Sequence, residues 1–189
     1  MIKTLVINDP TSYDGSQLQS HWIYRKYGLL GDAVVAFPGE VNVSLDKMVD
    51  LVDVQVKEFI YSPLMLNFII EHFSIDLELA IYRQRLFMMC IKEELEQFEI
   101  GVNRLGDDLY VNRGKLSVSV ATCTTVSTLI HVGLNIETQG TPVKTVGLNE
   151  LGIGDISAFA DKVMLRYKME LEQIYEARCK VRGKPLEEI

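Results

Sequence analysis

The chain has 189 residues, 48% of them hydrophobic and 24% charged, with a formal net charge of −7 and a pI near 5.0. That length and balance suit one domain, residues 1–189, able to bury its own core without staples. The acidic charge excludes DNA and acidic membranes as partners held through clustered lysine and arginine.

Cys90, Cys123 and Cys179 are widely spaced and form no Cys-x-x-Cys pair, so neither a disulfide framework nor a structural zinc site is expected. The start, MIKTLVINDP, lacks the basic end and long apolar run of a secretion signal. No stretch reaches the ~20 apolar residues of a membrane span. A soluble, cytoplasmic protein is the expectation.

In chain order, residues 4–8 read as a short strand ended by Asp9-Pro10, and residues 16–28 as a helix that stops at Gly28. Residues 32–44 are β-rich, with a turn or bulge at Pro38-Gly39. Residues 49–60 alternate weakly and predict another strand, and 63–73 a buried one. Ser74 is a candidate cap for a long amphipathic helix over 74–99, with Ala80, Met88, Ile91 and Leu95 on its apolar face. Short strands follow at 109–111, 115–122 and 127–136, then a glycine-rich loop and a closing helix over 156–181. Neither a repeating β-α-β order nor a phosphate-binding glycine motif is present. The fold class expected is α+β, with helices packed on a mixed, largely antiparallel sheet.

The stretch GDDLYVNRGKLSVSVATCTTVSTLIHVGLNI, residues 106–136, is where chemistry concentrates. Asn112 and Gly114 tolerate positive φ and predict a turn joining two antiparallel strands. Strand alternation puts Lys115 on one face with the small residues Ser117, Ser119 and Ala121. A long cation over a floor of small side chains suits a carboxylate or phosphate ligand. Asp107 and Asp108 are candidate magnesium ligands, since magnesium takes one or two carboxylates together with substrate phosphates. His131, Gly133 and Asn135 share a face of the returning strand. The plain alternative is a solvated hairpin lysine beside ordinary turn aspartates.

A second candidate stretch is SYDGSQLQSHWIYRKYG. Asp14, Ser20, His21 and Arg25 are expected at the mouth of the pocket, with Arg25 taking an anionic group. Read structurally, Asp14 or Ser16 is a cap and Arg25 a surface charge. Apolar excess on the two long helices makes a homodimer or higher oligomer a candidate assembly.

The motif GDDLYVNRGKLSVSV followed by IHVGLNI resembles the central signature of biotin and lipoate protein ligases. Length, YDGSQLQSHWIYRKYG, RLGDDLYVNRGKLS and GLNELGI together resemble the domain-of-unknown-function 366 family, whose fold is grouped with biotin synthetases and class II aminoacyl-tRNA synthetases. The resemblance implies a biotin/lipoate ligase-like fold and a small-molecule pocket for a carboxylate or nucleotide. It implies acyl-adenylate chemistry with ATP and magnesium as cofactors. Lys115 then holds the acid and the adenylate phosphate, Asp108 lies near the nucleotide, and Asn135 stands in the return strand. His131 positions the substrate or moves a proton.

Residues 49–68, which correspond to the family's glycine- and arginine-rich phosphate loop, contain neither arginine nor glycine. The alternative is therefore a non-catalytic ligand-binding or assembly protein that kept the ligase scaffold and lost that loop.

Overall fold

The computed structural model describes residues 1–56, 60–141 and 143–182. In chain order the elements are β1 (Lys3–Val6), α1 (Trp22–Tyr27), β2 (Ala33–Val43), α2 (Leu51–Val56), β3 (Ile60–His72), α3 (Leu77–Glu96), β4 (Asn103–Leu105), β5 (Asp108–Val111), β6 (Gly114–Lys115), β7 (Ser117–Cys123), β8 (Thr128–Glu137) and α4 (Ile156–Lys180). The main sheet has five strands in the order β1-β2-β3-β8-β7, and β4-β5-β6 form a separate small sheet. β1 runs parallel to β2, while the pairs β2–β3, β3–β8 and β7–β8 are antiparallel. The α+β fold with a largely antiparallel sheet is as expected. Among the described residues no helix is long and apolar enough to cross a membrane.

The central strands are apolar almost throughout because both faces of the sheet are covered. Val34, Ala36, Leu66, Phe68, Ile130 and Val132 pack with Phe87, Met88 and Ile91 of α3 and with Phe159, Val163 and Tyr167 of α4. On the opposite face Val35, Phe37, Met65 and Ile69 pack with Tyr13, Trp22 and Ile23. The α3–α4 contact is also tied by Arg166, which donates to Glu94 at 2.7 Å and to Glu93 at 3.1 Å.

Several boundaries differ from expectation for identifiable reasons. Residues 49–60 do not form a strand, since Leu51–Val56 wind into α2 and residues 57–59 lie outside the described residues. The carboxylate of Asp50 accepts the Val52 N–H at 2.8 Å and starts that turn. α1 begins at Trp22 rather than at residue 16, because His21 stands in the left-handed region (φ 63) and its N–H is taken by the Glu71 carboxylate at 2.8 Å. Asp76, not Ser74, caps α3 by accepting the Leu79 N–H at 2.9 Å. The strand β4 had no counterpart in the sequence reading.

Pro38-Gly39 does produce a bulge, visible as a register shift between Gly39 and Val41 within β2. Gly39 is required there, since a Cβ would lie 1.9 Å from the Thr11 carbonyl oxygen.

Candidate functional site

The site is organised by one backbone step. β5 and β6 are joined by Asn112 (φ 48) and Arg113 (φ 66), a two-residue left-handed turn of the kind that suits a tight hairpin. Arg113, rather than Gly114, takes the second positive φ. Gly114 serves a different need, passing so close to the Thr145 backbone that a Cβ would sit 3.1 Å from it. The chain then leaves the small sheet at Leu116, whose N–H donates to Leu109 at 2.8 Å and whose carbonyl accepts from Asn135 at 2.9 Å.

That step breaks the expected alternation. Lys115 pairs across the small sheet with Tyr110, whereas Ser117 begins β7 in the large sheet. Ser117 is fully buried and its hydroxyl accepts the Leu109 N–H at 2.8 Å. Ser119 accepts from Gln84 of α3 at 2.6 Å and donates to the Asp107 carboxylate at 3.1 Å. Ser117 and Ser119 line the cleft together with Val118 and Val120, which stand opposite Gly133 and His131 respectively.

The resulting cleft has a volume of about 480 Å³, within the range of small-molecule sites. Met65, Val118, Val120 and Tyr13 give it an apolar floor, and Lys47, Asp50, Asp53, Lys115 and Lys144 line it as charged groups. Lys115 holds Asp108 at 2.9 Å, both side chains being half-buried. Burial alone would lower the Lys115 pKa. The hydrogen bond and charge of Asp108, with Tyr110 and Asp53, outweigh that and set it above the usual lysine value. Lys115 is thus an ammonium at neutral pH.

His131 is nearly enclosed. Tyr13 stacks on it with ring centroids 3.6 Å apart and an interplanar angle of 11°. Its Nε2 lies 3.0 Å from the Asn67 Oδ1. Because the Asn67 amide nitrogen faces the Met65 carbonyl at 3.3 Å, Oδ1 is the acceptor and Nε2 carries the proton. Desolvation pushes the His131 pKa down to about 3, so the ring is neutral. Asn135 donates to the Lys115 carbonyl at 3.2 Å and so fixes the backbone beneath the lysine.

Asp107 and Asp108 are engaged on different sides. Asp107 accepts from Gln84 at 3.0 Å and faces Arg85 at 3.7 Å, whereas Asp108 faces Lys115. Among the described residues no group of three His, Cys, Asp or Glu is placed to hold a metal. The two carboxylates are thus turned to different partners rather than converging on one cation.

Of the four residues singled out in the second candidate stretch, only Asp14 is tied to the cleft, through the lining residue Lys47, whereas Tyr13 and Leu18 of the same stretch line it directly. Asp14 pairs with Lys47, and that hydrogen bond, with a second from Ser16, lowers its pKa to about 2. Ser20 donates to Thr124 at 2.6 Å, the His21 backbone is held by Glu71, and Arg25 donates to Gln19 at 2.8 Å on the surface. Glu71 stands two residues along β3 from Ile69, the register partner of the cleft residue His131, so this cluster lies roughly 7 Å along the strand from that end of the cleft.

Tyr13, Met65, Tyr110 and Lys47 are cleft residues that the sequence reading did not single out. Tyr13 had only its adjacency to Asp14 to mark it.

Comparison with solved structures returns the same architecture. A protein of unknown function from Pyrococcus horikoshi matches with a TM-score of 0.92 at 40% identity, covering 97% of this chain and 99% of that one. A biotin protein ligase from Aquifex aeolicus matches with a TM-score of 0.62 at 17% identity, over 93% of this chain and 72% of that one. The bi-partite lipoate protein ligase from Thermoplasma acidophilum gives 0.58 at 12% identity, over 90% and 83%. At those identities the two ligases share the fold. Among curated proteins, an uncharacterised protein of Methanocaldococcus jannaschii is 35% identical over 176 residues, 90% of this chain and 80% of that protein. The profile described as "Domain of unknown function (DUF366)" matches residues 2–182, and the chain belongs to that family.

Proposed function

We propose that the cleft binds a small molecule through a carboxylate group received by Lys115. The observation that carries this reading is the Lys115 ammonium itself, half-buried at the wall of a 480 Å³ cleft and already holding a carboxylate, that of Asp108, at 2.9 Å. A charge-assisted hydrogen bond from a partly desolvated ammonium is stronger than one made in open water. The apolar floor of Met65, Val118 and Val120, with the Tyr13–His131 stack, supplies area for the rest of the ligand.

The test is a thermal-shift series on the full chain with straight-chain, aromatic and amino-substituted carboxylic acids, repeated for Lys115→Ala. An acid present at a hundred times its dissociation constant is expected to add about 2.7 kcal/mol to the wild type and nothing to the variant. If no acid stabilises the protein in a Lys115-dependent way, the reading fails.

A second reading is favoured by the likeness to biotin and lipoate ligases: the bound acid is activated as an acyl adenylate. Lys115 would then stabilise negative charge developing on the acyl or phosphate oxygens, a contribution of a few kcal/mol. Against it, the described residues of the cleft include four aspartates, Asp50, Asp53, Asp107 and Asp108, and three lysines, a poor match for a triphosphate. Acid-dependent pyrophosphate release from ATP and magnesium decides between them. Release supports activation, and its absence with an acid that binds leaves a binding protein on the ligase scaffold.

A further inference from the structure

The ion pair at the head of the cleft restricts what can bind there. Lys115 and Asp108 both line the cleft, with side chains 30% and 27% exposed. A ligand carboxylate that takes Lys115 must displace Asp108 or share the three donors of the ammonium with it, and either way two half-buried carboxylates then stand side by side with one cation between them. Removing one partner from such a pair is costly, and a like charge at close range adds to the cost. Nor does the surrounding lining relieve it. Among the described residues Asp50, Asp53 and Asp107 stand with Asp108 against Lys47, Lys115 and Lys144, so these walls are acidic by one charge before any ligand arrives. A simple acid leaves two carboxylates with one ammonium between them.

A ligand that brings an ammonium together with its carboxylate has no such penalty. Its carboxylate takes Lys115, its ammonium takes Asp108, and each protein charge keeps an opposite partner. Because the two side chains are in direct contact at 2.9 Å, the ligand's two charges must also be near neighbours rather than at opposite ends of a chain. The Tyr110 hydroxyl, 3.4 Å from Asp108, is a further polar group at the same spot. Beyond the head, the floor offers no formal charge: Met65, Val118, Val120 and Tyr13 are uncharged and His131 is a neutral ring stacked on Tyr13. We infer, on the reading that Lys115 receives a carboxylate, that the cleft selects an α-amino acid with an apolar side chain over the simple acid of the same shape.

The experiment is isothermal titration calorimetry of the full chain with matched probes. Leucine, methionine and phenylalanine are each compared with the acid lacking the amino group and with the amine lacking the carboxylate. At least one of the three amino acids is expected to bind about tenfold or more tighter than its acid and its amine. In Asp108→Asn that preference should collapse, the amino acid weakening and the acid rising to meet it. If the acids bind the wild type as well as the amino acids do, the inference is overturned, while loss of that acid binding in Lys115→Met leaves the carboxylate site standing. If no probe binds, or binding ignores Lys115, both fall. Should Asp108→Asn fail to fold, the matched series on the wild type decides the matter by itself.

Discussion

His131 is neutral because Tyr13, Asn67 and the strands around it exclude the water that a charged ring would need. Its folded pKa near 3 lies below the ordinary 6.5, so the unfolded chain binds the extra proton first as pH falls. Stability is therefore complete above about pH 6.5 and declines toward pH 3, at up to about 1.4 kcal/mol per pH unit. His72, also lowered by burial though opposed by Asp32, acts in the same direction. Urea midpoints between pH 7 and pH 5 should fall for the wild type and fall less steeply for His131→Asn; equal slopes would show that His131 carries no such linkage. At this scale the lysine and the two aspartates were legible, because a hairpin tip displays its chemistry within a dozen residues. The Tyr13–His131 stack was not, since it joins distant parts of the chain and neither residue carries a mark of the other. Ser117 lines the cleft, but its burial and its acceptance of the Leu109 N–H were not legible, because strand alternation holds only while the strand is continuous and the chain changes sheets at Leu116.

The elements that were easy to read are those with a strong internal pattern. α3 and α4 carry long apolar stripes, and α4 is capped by Asp155, which accepts the Ala158 N–H at 2.9 Å. α1 was read too long because apolar spacing continues back to Leu18, whereas the left-handed His21 is set by Glu71 from across the sheet. The alternation in residues 51–56 resembled a strand, yet Leu51 and Val52 are exposed and the segment is helical. The bulge in β2 shows how tightly such features are held. Replacing Gly39 by alanine would drive a Cβ into the Thr11 carbonyl, and with backbone on both sides the clash has no cheap relief. A loss of about 3 kcal/mol is expected in chemical denaturation, and a change under half a kilocalorie would mean that Thr11 moves freely.

Across the molecule, the two long helices are locked to each other as well as to the sheet. Arg166 reaches from α4 to Glu94 and Glu93 on α3, and Glu94 is buried. Arg166→Ala should cost about 2–3 kcal/mol, because the greater part of the loss is the stranded Glu94 carboxylate. Arg166→Met combined with Glu94→Leu should recover most of it. Denaturation of the single and double variants measures this directly, and a double variant as unstable as the single would sink the account. The family's ligase-like architecture was legible from the central motif because that motif spans both sheets.

That spanning has a consequence for how the family can diversify. Asp108, Tyr110 and Lys115 ride on the small sheet, while Met65, Val118, Val120 and His131 belong to the large one, with Leu116 the covalent joint between them. On the proposed reading, head-group chemistry and tail shape thus rest mainly on different sheets. On that reading, substitutions in β5 and β6 change which polar group is accepted and substitutions at Met65, Val118 or Val120 change the tail, whereas Ser117, Ser119 and Asn135 tie the two sheets together and serve both halves. If the cleft binds as proposed, relatives with this fold can change head and tail specificity through largely different residues.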